Sequence, residues 1–237
     1  MSSLNLPSDY ARIRCVTSFD ELIATPWADG VNALCWARTL PGDFAEVVTR
    51  LDTGEGIVAL DEDQLRALNV SAAGRTAIDV MLADLHSLQK HQLAPVLNCI
   101  HSYPRDEAPG PVPTDVFSFH ADSAPVPADT WLCTYHGAAS EGLRNEEAHR
   151  RVDMPATRAE LLRLHGGADD ESFREFLNEN CYDLHYAPAT ATTLPFNFGL
   201  GNLWRIATEY PGCPVPPCLH RAPNTLPGDQ PRLLLIS

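Results

Sequence analysis

From Ala94 onward, short apolar runs are separated by proline-rich connections, including Pro104 to Pro113 and Pro211 to Pro217. Proline brings no amide proton to a helix or an internal strand, so a chain punctuated in this way folds as short strands joined by loops. The pattern predicts strands near 95–103, 115–121, 130–136, 182–187, 202–208, 217–221 and 232–236. Together they predict a double-stranded β-helix, a cupin-like jelly roll of two sheets.

The first 93 residues read differently. Val31 to Arg38 is strand-like, and Pro41-Gly42-Asp43 then starts a helix with Phe44, Val47, Val48 and Leu51 on one stripe. Between Ser71 and Leu93 the residues Ile78, Met81, Leu82, Leu85 and Leu88 recur at helical spacing, the pattern of a helix laid across a sheet. A helical insertion is expected at about 145–180: Thr157-Arg158-Ala159-Glu160 has capping-box form, Leu161, Leu162 and Leu164 follow, and Gly166 stops the helix. A further helix over 169–179 would place Asp169, Asp170 and Glu171 at its N-terminus, where carboxylates favour the helix dipole. The expected class is therefore mainly β with helical additions. One domain is expected over 1–237, with an N-terminal strand and helices (1–93) packing on a barrel (94–237).

Composition excludes several function classes. With 17 Lys+Arg against 31 Asp+Glu the formal charge is −14, and no basic run stands out to meet a phosphate backbone, so nucleic acid is not an expected partner. No apolar stretch approaches membrane-spanning length, and Met1 to Pro7 show neither a charged leader nor a hydrophobic signal core, which predicts a cytoplasmic protein with no membrane partner. The seven cysteines are odd in number and scattered, so reduced thiols are expected. Cys213 and Cys218 stand close before His220 but lack a second pair of the kind a structural zinc site uses.

Three chemistry-bearing features remain: His120-Ala121-Asp122, a distant His220, and Arg232 at the head of the closing run Arg232-Leu233-Leu234-Leu235-Ile236. Val116, Phe117 and Phe119 make the approach to His120 strand-like, so residues 120 and 122 project to one face. Two imidazoles and a carboxylate occupy one face of an octahedral ion and leave the opposite positions free, as non-haem Fe(II) requires to take a cosubstrate and dioxygen. Arg232 follows His220 by twelve residues. Its guanidinium fork suits the distal carboxylate of a chelating keto acid.

This order resembles the Fe(II)/2-oxoglutarate-dependent oxygenases over roughly residues 94–237. The resemblance implies that His120, Asp122 and His220 bind Fe(II), that Arg232 binds 2-oxoglutarate, and that a small-molecule substrate is hydroxylated with dioxygen. The long separation of Asp122 from His220 departs from a compact barrel and calls for the insertion. A longer resemblance is to an uncharacterised bacterial family with segments matching Phe119-His120-Ala121-Asp122, Leu132-Cys133-Thr134-Tyr135, Trp204-Arg205, His220-Arg221-Ala222-Pro223 and Arg232-Leu233-Leu234-Leu235; it implies no particular activity. Two other classes use the same ligands: a cupin-like metalloenzyme without 2-oxoglutarate, and a non-enzymatic Zn(II)-binding or metal-homeostasis protein.

Around the metal, Thr134 and Tyr135 are candidates to hydrogen-bond the keto acid or a ligand carboxylate. Arg205 is a candidate substrate clamp, and Trp131 and His136 are candidate substrate contacts, with Trp131 and Trp204 equally suited to the sheet interior. Glu141 and Arg144 belong with His136 to an expected polar rim, Arg221 should face away from His220, and Asn98, Cys99 or Tyr103 could reach the cosubstrate.

Overall fold

The computed structural model describes residues 6, 7, 9–51, 53–107, 110–225 and 228–237. Met1 to Asn5 of the segment read for a leader, and residues 108 and 109 of the first proline-rich loop, lie outside the described residues. The chain begins with β1 (Ile13–Val16), α1 (Phe19–Ala24), β2 (Ala33–Trp36), α2 (Phe44–Arg50), β3 (Ile57–Leu60), α3 (Glu62–Ala67) and α4 (Ala72–Lys90). Then come β4 (Val96–Ile100), β5 (Phe119–His120), β6 (Asp129–His136) and β7 (Glu141–Leu143). An insertion of β8 (Ala148–Arg150), α5 (Pro155–His165), α6 (Glu171–Glu179) and β9 (His185–Pro188) precedes β10 (Phe196–Asn197), β11 (Leu203–Ala207), β12 (Leu219–Arg221) and β13 (Arg232–Ile236). Among the described residues, no helix is long and apolar enough to cross a membrane.

The strands form two sheets. A seven-stranded sheet has the order β1-β2-β11-β6-β13-β4-β3, and a six-stranded sheet the order β10-β7-β12-β5-β9-β8. Going along the chain, β4, β6, β11 and β13 belong to the larger sheet, while β5, β7, β10 and β12, which fall between them, belong to the smaller. Each crossing exchanges sheets, so the residues facing inward from both come to share one interior. The fold is mainly β with helical additions, as expected, and β1, β2 and β3 extend the larger sheet itself rather than merely packing on it.

Alternation along the central strands separates two cores. Leu97, Cys99, Cys133, Leu233 and Leu235 share one core with Ile78, Met81 and Leu88 of α4. Ile100, Leu132, Leu234 and Ile206 share a second with Phe196, Phe198 and Cys218, on the side of the smaller sheet. The helical stripe of α4 thus meets a sheet, as its spacing predicted. A polar tie fastens it: Arg38 donates to both oxygens of Asp84 at 2.6 and 2.8 Å, and Tyr135 adds a hydrogen bond to Oδ2 at 2.8 Å. Asp84 is on α4, so this buried cluster fixes its position over β6.

Two helix boundaries differ from the sequence reading. α5 starts with Pro155 at its first position and Met154 as N-cap, so Thr157 lies within the first turn and makes no capping box. Gly166 does end it, in the left-handed conformation at φ 72°. α6 begins after Asp170, whose side chain accepts the amide of Ser172. The insertion carries a small core of its own, in which Val152, Leu161, Phe173 and Leu177 enclose Val112.

The Arg38–Asp84–Tyr135 cluster generates a stability test. Asp84→Ala strands a buried guanidinium and should lower the free energy of unfolding by about 3–5 kcal/mol. Tyr135→Phe removes one neutral donor and should cost about 1 kcal/mol, both read from urea denaturation midpoints. Equal, small effects would show that the cluster does not hold α4.

Candidate metal centre

β5 and β12 are antiparallel neighbours in the smaller sheet, with His120 directly opposite His220. Directly opposed residues project to the same face, and here the two imidazole centroids are 4.6 Å apart. Asp122 lies two residues beyond His120, past the end of β5, where its backbone carbonyl accepts the amide of Glu209 at 2.7 Å. Its Oδ1 is 3.8 Å from His120 Nε2 and its Oδ2 is 3.5 Å from His220 Nε2. The three side chains expected to converge do so: one donor atom from each lies within 4.8 Å of the others.

The surroundings prepare these groups for ligation. His120 Nδ1 faces the carbonyl of Ser118 at 2.8 Å, and His220 Nδ1 faces that of Cys218 at 3.4 Å. In each case the carbonyl two residues upstream can only accept a proton carried on Nδ1, and Nε2 is the ring nitrogen turned toward Asp122. Thr130 Oγ1 donates to Asp122 Oδ2 at 2.5 Å. Burial, and then the neighbouring His220, push the His120 pKa down to about 4, against the Ser118 carbonyl and Asp122. Burial would raise the Asp122 pKa, but His220, the Thr130 hydroxyl and His120 together hold it below the ordinary carboxylate value. A neutral imidazole and an ionised carboxylate are the forms a metal takes. In an octahedral shell with bonds of about 2.1 Å, adjacent donors are about 3 Å apart, so the carboxylate–imidazole separations of 3.5 and 3.8 Å here are wider than those of a closed shell. The donor set is one that can hold a metal ion.

The triad opens into a cavity of about 270 Å³ between the sheets. Arg232 lines the same cavity, together with Tyr103, Ser140 and Asn98. It is 1% exposed. Nη1 donates to Tyr103 Oη at 2.5 Å, and Nη2 donates to Ser140 Oγ at 3.1 Å and Thr134 Oγ1 at 3.3 Å. Nε is buried without a partner, and no carboxylate among the described residues forms an ion pair with this guanidinium. Burial lowers its pKa from the usual arginine value, with Tyr103 opposing.

A β-bulge explains this arrangement. Leu233 pairs with His136 and Leu234 with Thr134, so Tyr135 is the extra residue on β6. In a regular ladder His136 would stand opposite Arg232, on the cavity side. The bulge brings it opposite Leu233 instead, and Gly137 passes so close that a Cβ there would lie 3.1 Å from the Arg232 Cα. The guanidinium is left among hydroxyls.

The remaining expectations divide by face. Thr134 is on the cavity side, bonded to Arg232. Tyr135 is not: it faces α4 and donates to Asp84, because consecutive strand residues alternate. Trp131 shares its parity and lies in the helix-side core, not on a substrate wall. Arg205 is no clamp; it pairs with Asp129 and donates to the carbonyls of Leu22, Ile23 and Thr25 at the C-terminal end of α1. His136 does not line the cavity. Nor is there a polar rim at 141–144: Glu141 belongs to β7 and pairs with Arg221, and Arg144 pairs with Asp9. Arg221 does turn away from the triad, its guanidinium over the Phe119 ring. Asn98 and Tyr103 reach the cavity, whereas Cys99 faces the helices.

Sequence reasoning missed Thr130, Ser140 and His185. His185 of β9 is opposite His120, with ring centroids 5.8 Å apart and Nδ1 buried without a partner. Thr130 was legible in part, since it has the parity of Thr134 along one strand. The pairing of β9 with β5 leaves no local signal.

Loss of a ligand should separate metal binding from folding. His120→Ala or Asp122→Ala should abolish stoichiometric metal uptake while circular dichroism stays close to wild type. Thr130→Val, which removes only the hydrogen bond to Asp122, should weaken metal affinity about 10- to 100-fold. Metal content by mass spectrometry after dialysis checks each, and full uptake by both alanine variants would exclude this centre. No protein-family model matches the chain, and neither a curated protein nor a solved structure does.

Proposed function

We propose that the chain is a cytoplasmic Fe(II)/2-oxoglutarate-dependent dioxygenase that hydroxylates a small molecule, on a single double-stranded β-helix domain. The exchange of sheets along β4 to β7, and again along β10 to β13, supports the jelly-roll reading. The seven cysteines, none paired with another, suit a reducing compartment.

The observation that carries the reading is Arg232. A guanidinium in a dry interior normally has an acid beside it, because an unpaired buried charge is costly. This one has hydroxyls only and opens on the cavity that holds the triad. A carboxylate brought by a ligand would complete it. 2-Oxoglutarate has one to spare after its keto-acid end chelates an ion.

His120, Asp122 and His220 would hold the iron, which with the keto acid supplies the oxidising chemistry: dioxygen is divided between succinate and the substrate, carbon dioxide leaves, and a C–H bond becomes C–OH. The chain's own contribution is positional. Arg232, with Tyr103, Ser140 and Thr134 holding it, fixes the distal carboxylate; Thr130 holds Asp122; the Ser118 and Cys218 carbonyls fix both imidazole tautomers. Ile100, Leu132 and Leu234 give the cavity an apolar wall.

Anaerobic addition of 2-oxoglutarate to the Fe(II)-loaded chain should produce the weak visible charge-transfer band of keto-acid chelation. Arg232→Leu should retain iron but need about 10- to 100-fold more 2-oxoglutarate for the same band, from the loss of charge-assisted bonds. An iron-loaded, folded wild type with no band would end the oxygenase reading in favour of a cupin-like or zinc-binding role.

A further inference from the structure

The smaller sheet covers the inner face of the larger one only in part. Read across β3, β4 and β13, that face has one row of Ile57, Ile100 and Arg232, a second of Ala59, Asn98 and Leu234, and a third of Val96 and Ile236. Ile100 and Leu234 are 4% and 6% exposed, but Ile57 is 50%, Val96 43% and Ile236 36% exposed, and Ala59 is also open. Single exposed aliphatic residues are ordinary on a protein surface. These adjoin one another, and two of them, Ile57 and Ile236, also line the metal cavity. The strip and the cavity are one continuous apolar surface.

Within the cavity, charge is confined to one part, and the side chains of the strip itself are uncharged. Apart from the triad, the only ionisable side chains lining the cavity are Arg232 and Tyr103 among the described residues. Neither a cationic nor an anionic group on a second ligand would find a partner once the metal and Arg232 were engaged. Asn98 is the one amide in the strip, and its Nδ2 makes only a long 3.4 Å bond to the Val96 carbonyl. Its amide is therefore available to a hydroxyl or carbonyl.

We infer that the strip Ile57–Ala59–Val96–Ile236 is the docking face for the prime substrate, and that this substrate is a neutral molecule with an aliphatic portion and a hydrogen-bonding group that meets Asn98. Its role as substrate rests on the oxygenase reading; the binding preference does not. Size supports an open docking face. At about 270 Å³ the cavity is below the roughly 300–1,000 Å³ of pockets that enclose a drug-sized ligand. With a keto acid inside, a second molecule enters by a narrow end and leaves the rest on the strip.

The test uses the full chain loaded with redox-silent Zn(II) and ligand-observed NMR of 1-alkanols from butanol to nonanol. Each added methylene should strengthen binding about three- to fourfold until the strip is filled. Octylammonium should bind about tenfold or more weakly than 1-octanol, since its charge would be desolvated without a partner; a carboxylate is avoided as the charged control because Arg232 could take it. Val96→Asp and Ala59→Asp, both at exposed positions, should each weaken 1-octanol about tenfold in protein whose melting curve shows it folded. A flat chain-length series, equal binding of octylammonium, or undiminished octanol binding in both folded variants would overturn the inference. The keto-acid band separates the two claims. A rising series without the band supports the docking face and ends the oxygenase reading, whereas the band with a flat series does the reverse.

Discussion

The two-residue period of β13 is the constraint on which both interiors depend. Leu233 and Leu235 enter the core shared with α4, while Arg232, Leu234 and Ile236 line the cavity between the sheets. β13 has β4 on one side and β6 on the other. A shift of its register by one residue would put a guanidinium into the helix-side core and two leucines into the cavity. The apolar packing of Leu233 and Leu235 against α4 therefore holds Arg232 in register as surely as its own hydrogen bonds do.

The metal centre follows a complementary logic on the smaller sheet. An antiparallel pair of strands brings His120 and His220 together without any loop having to fold around an ion, and the backbone supplies the Ser118 and Cys218 carbonyls that select their tautomers. Only Asp122, beyond the strand end, depends on a side chain of the opposite sheet, Thr130 at the start of β6. The triad therefore registers one sheet against the other. The hydrogen bond from this hydroxyl is one of the ties between the sheets, beside the backbone bond from the Cys218 amide to the Ala207 carbonyl.

The parts of this arrangement that the sequence reveals are those set by periodicity and punctuation. The stripe of α4, the strands around 96–100, 130–136, 203–207 and 232–236, and the separation of Asp122 from His220 by a helical insertion are all readable from apolar spacing and from proline and glycine. The order His120, Asp122, His220, Arg232 brings chemistry-bearing groups together because strand alternation carries over from sequence to structure. The same alternation separates Trp131 and Tyr135, which have opposite parity to Thr130 and Thr134 and go to the other core. His136 was unreadable, since one extra residue in a ladder leaves no mark in the composition of the strand. Arg205 resembles a functional arginine in sequence, and only the carbonyls at the end of α1 show that it is a fastening. Cross-strand partners such as His185 depend on register between distant segments, which no local pattern encodes.

The incompletely partnered Arg232 has a thermodynamic consequence. Its Nε is buried without an acceptor, and its charge is balanced by hydroxyls alone. That deficit is part of the folded state's free energy and is absent from the unfolded chain, where water solvates the guanidinium. Any anion that completes the site binds the folded form alone and stabilises it by mass action, about 2.7 kcal/mol at a hundred times its dissociation constant. Were a carboxylate to occupy the cavity, resistance to proteolysis would depend on that occupancy as well as on the two cores.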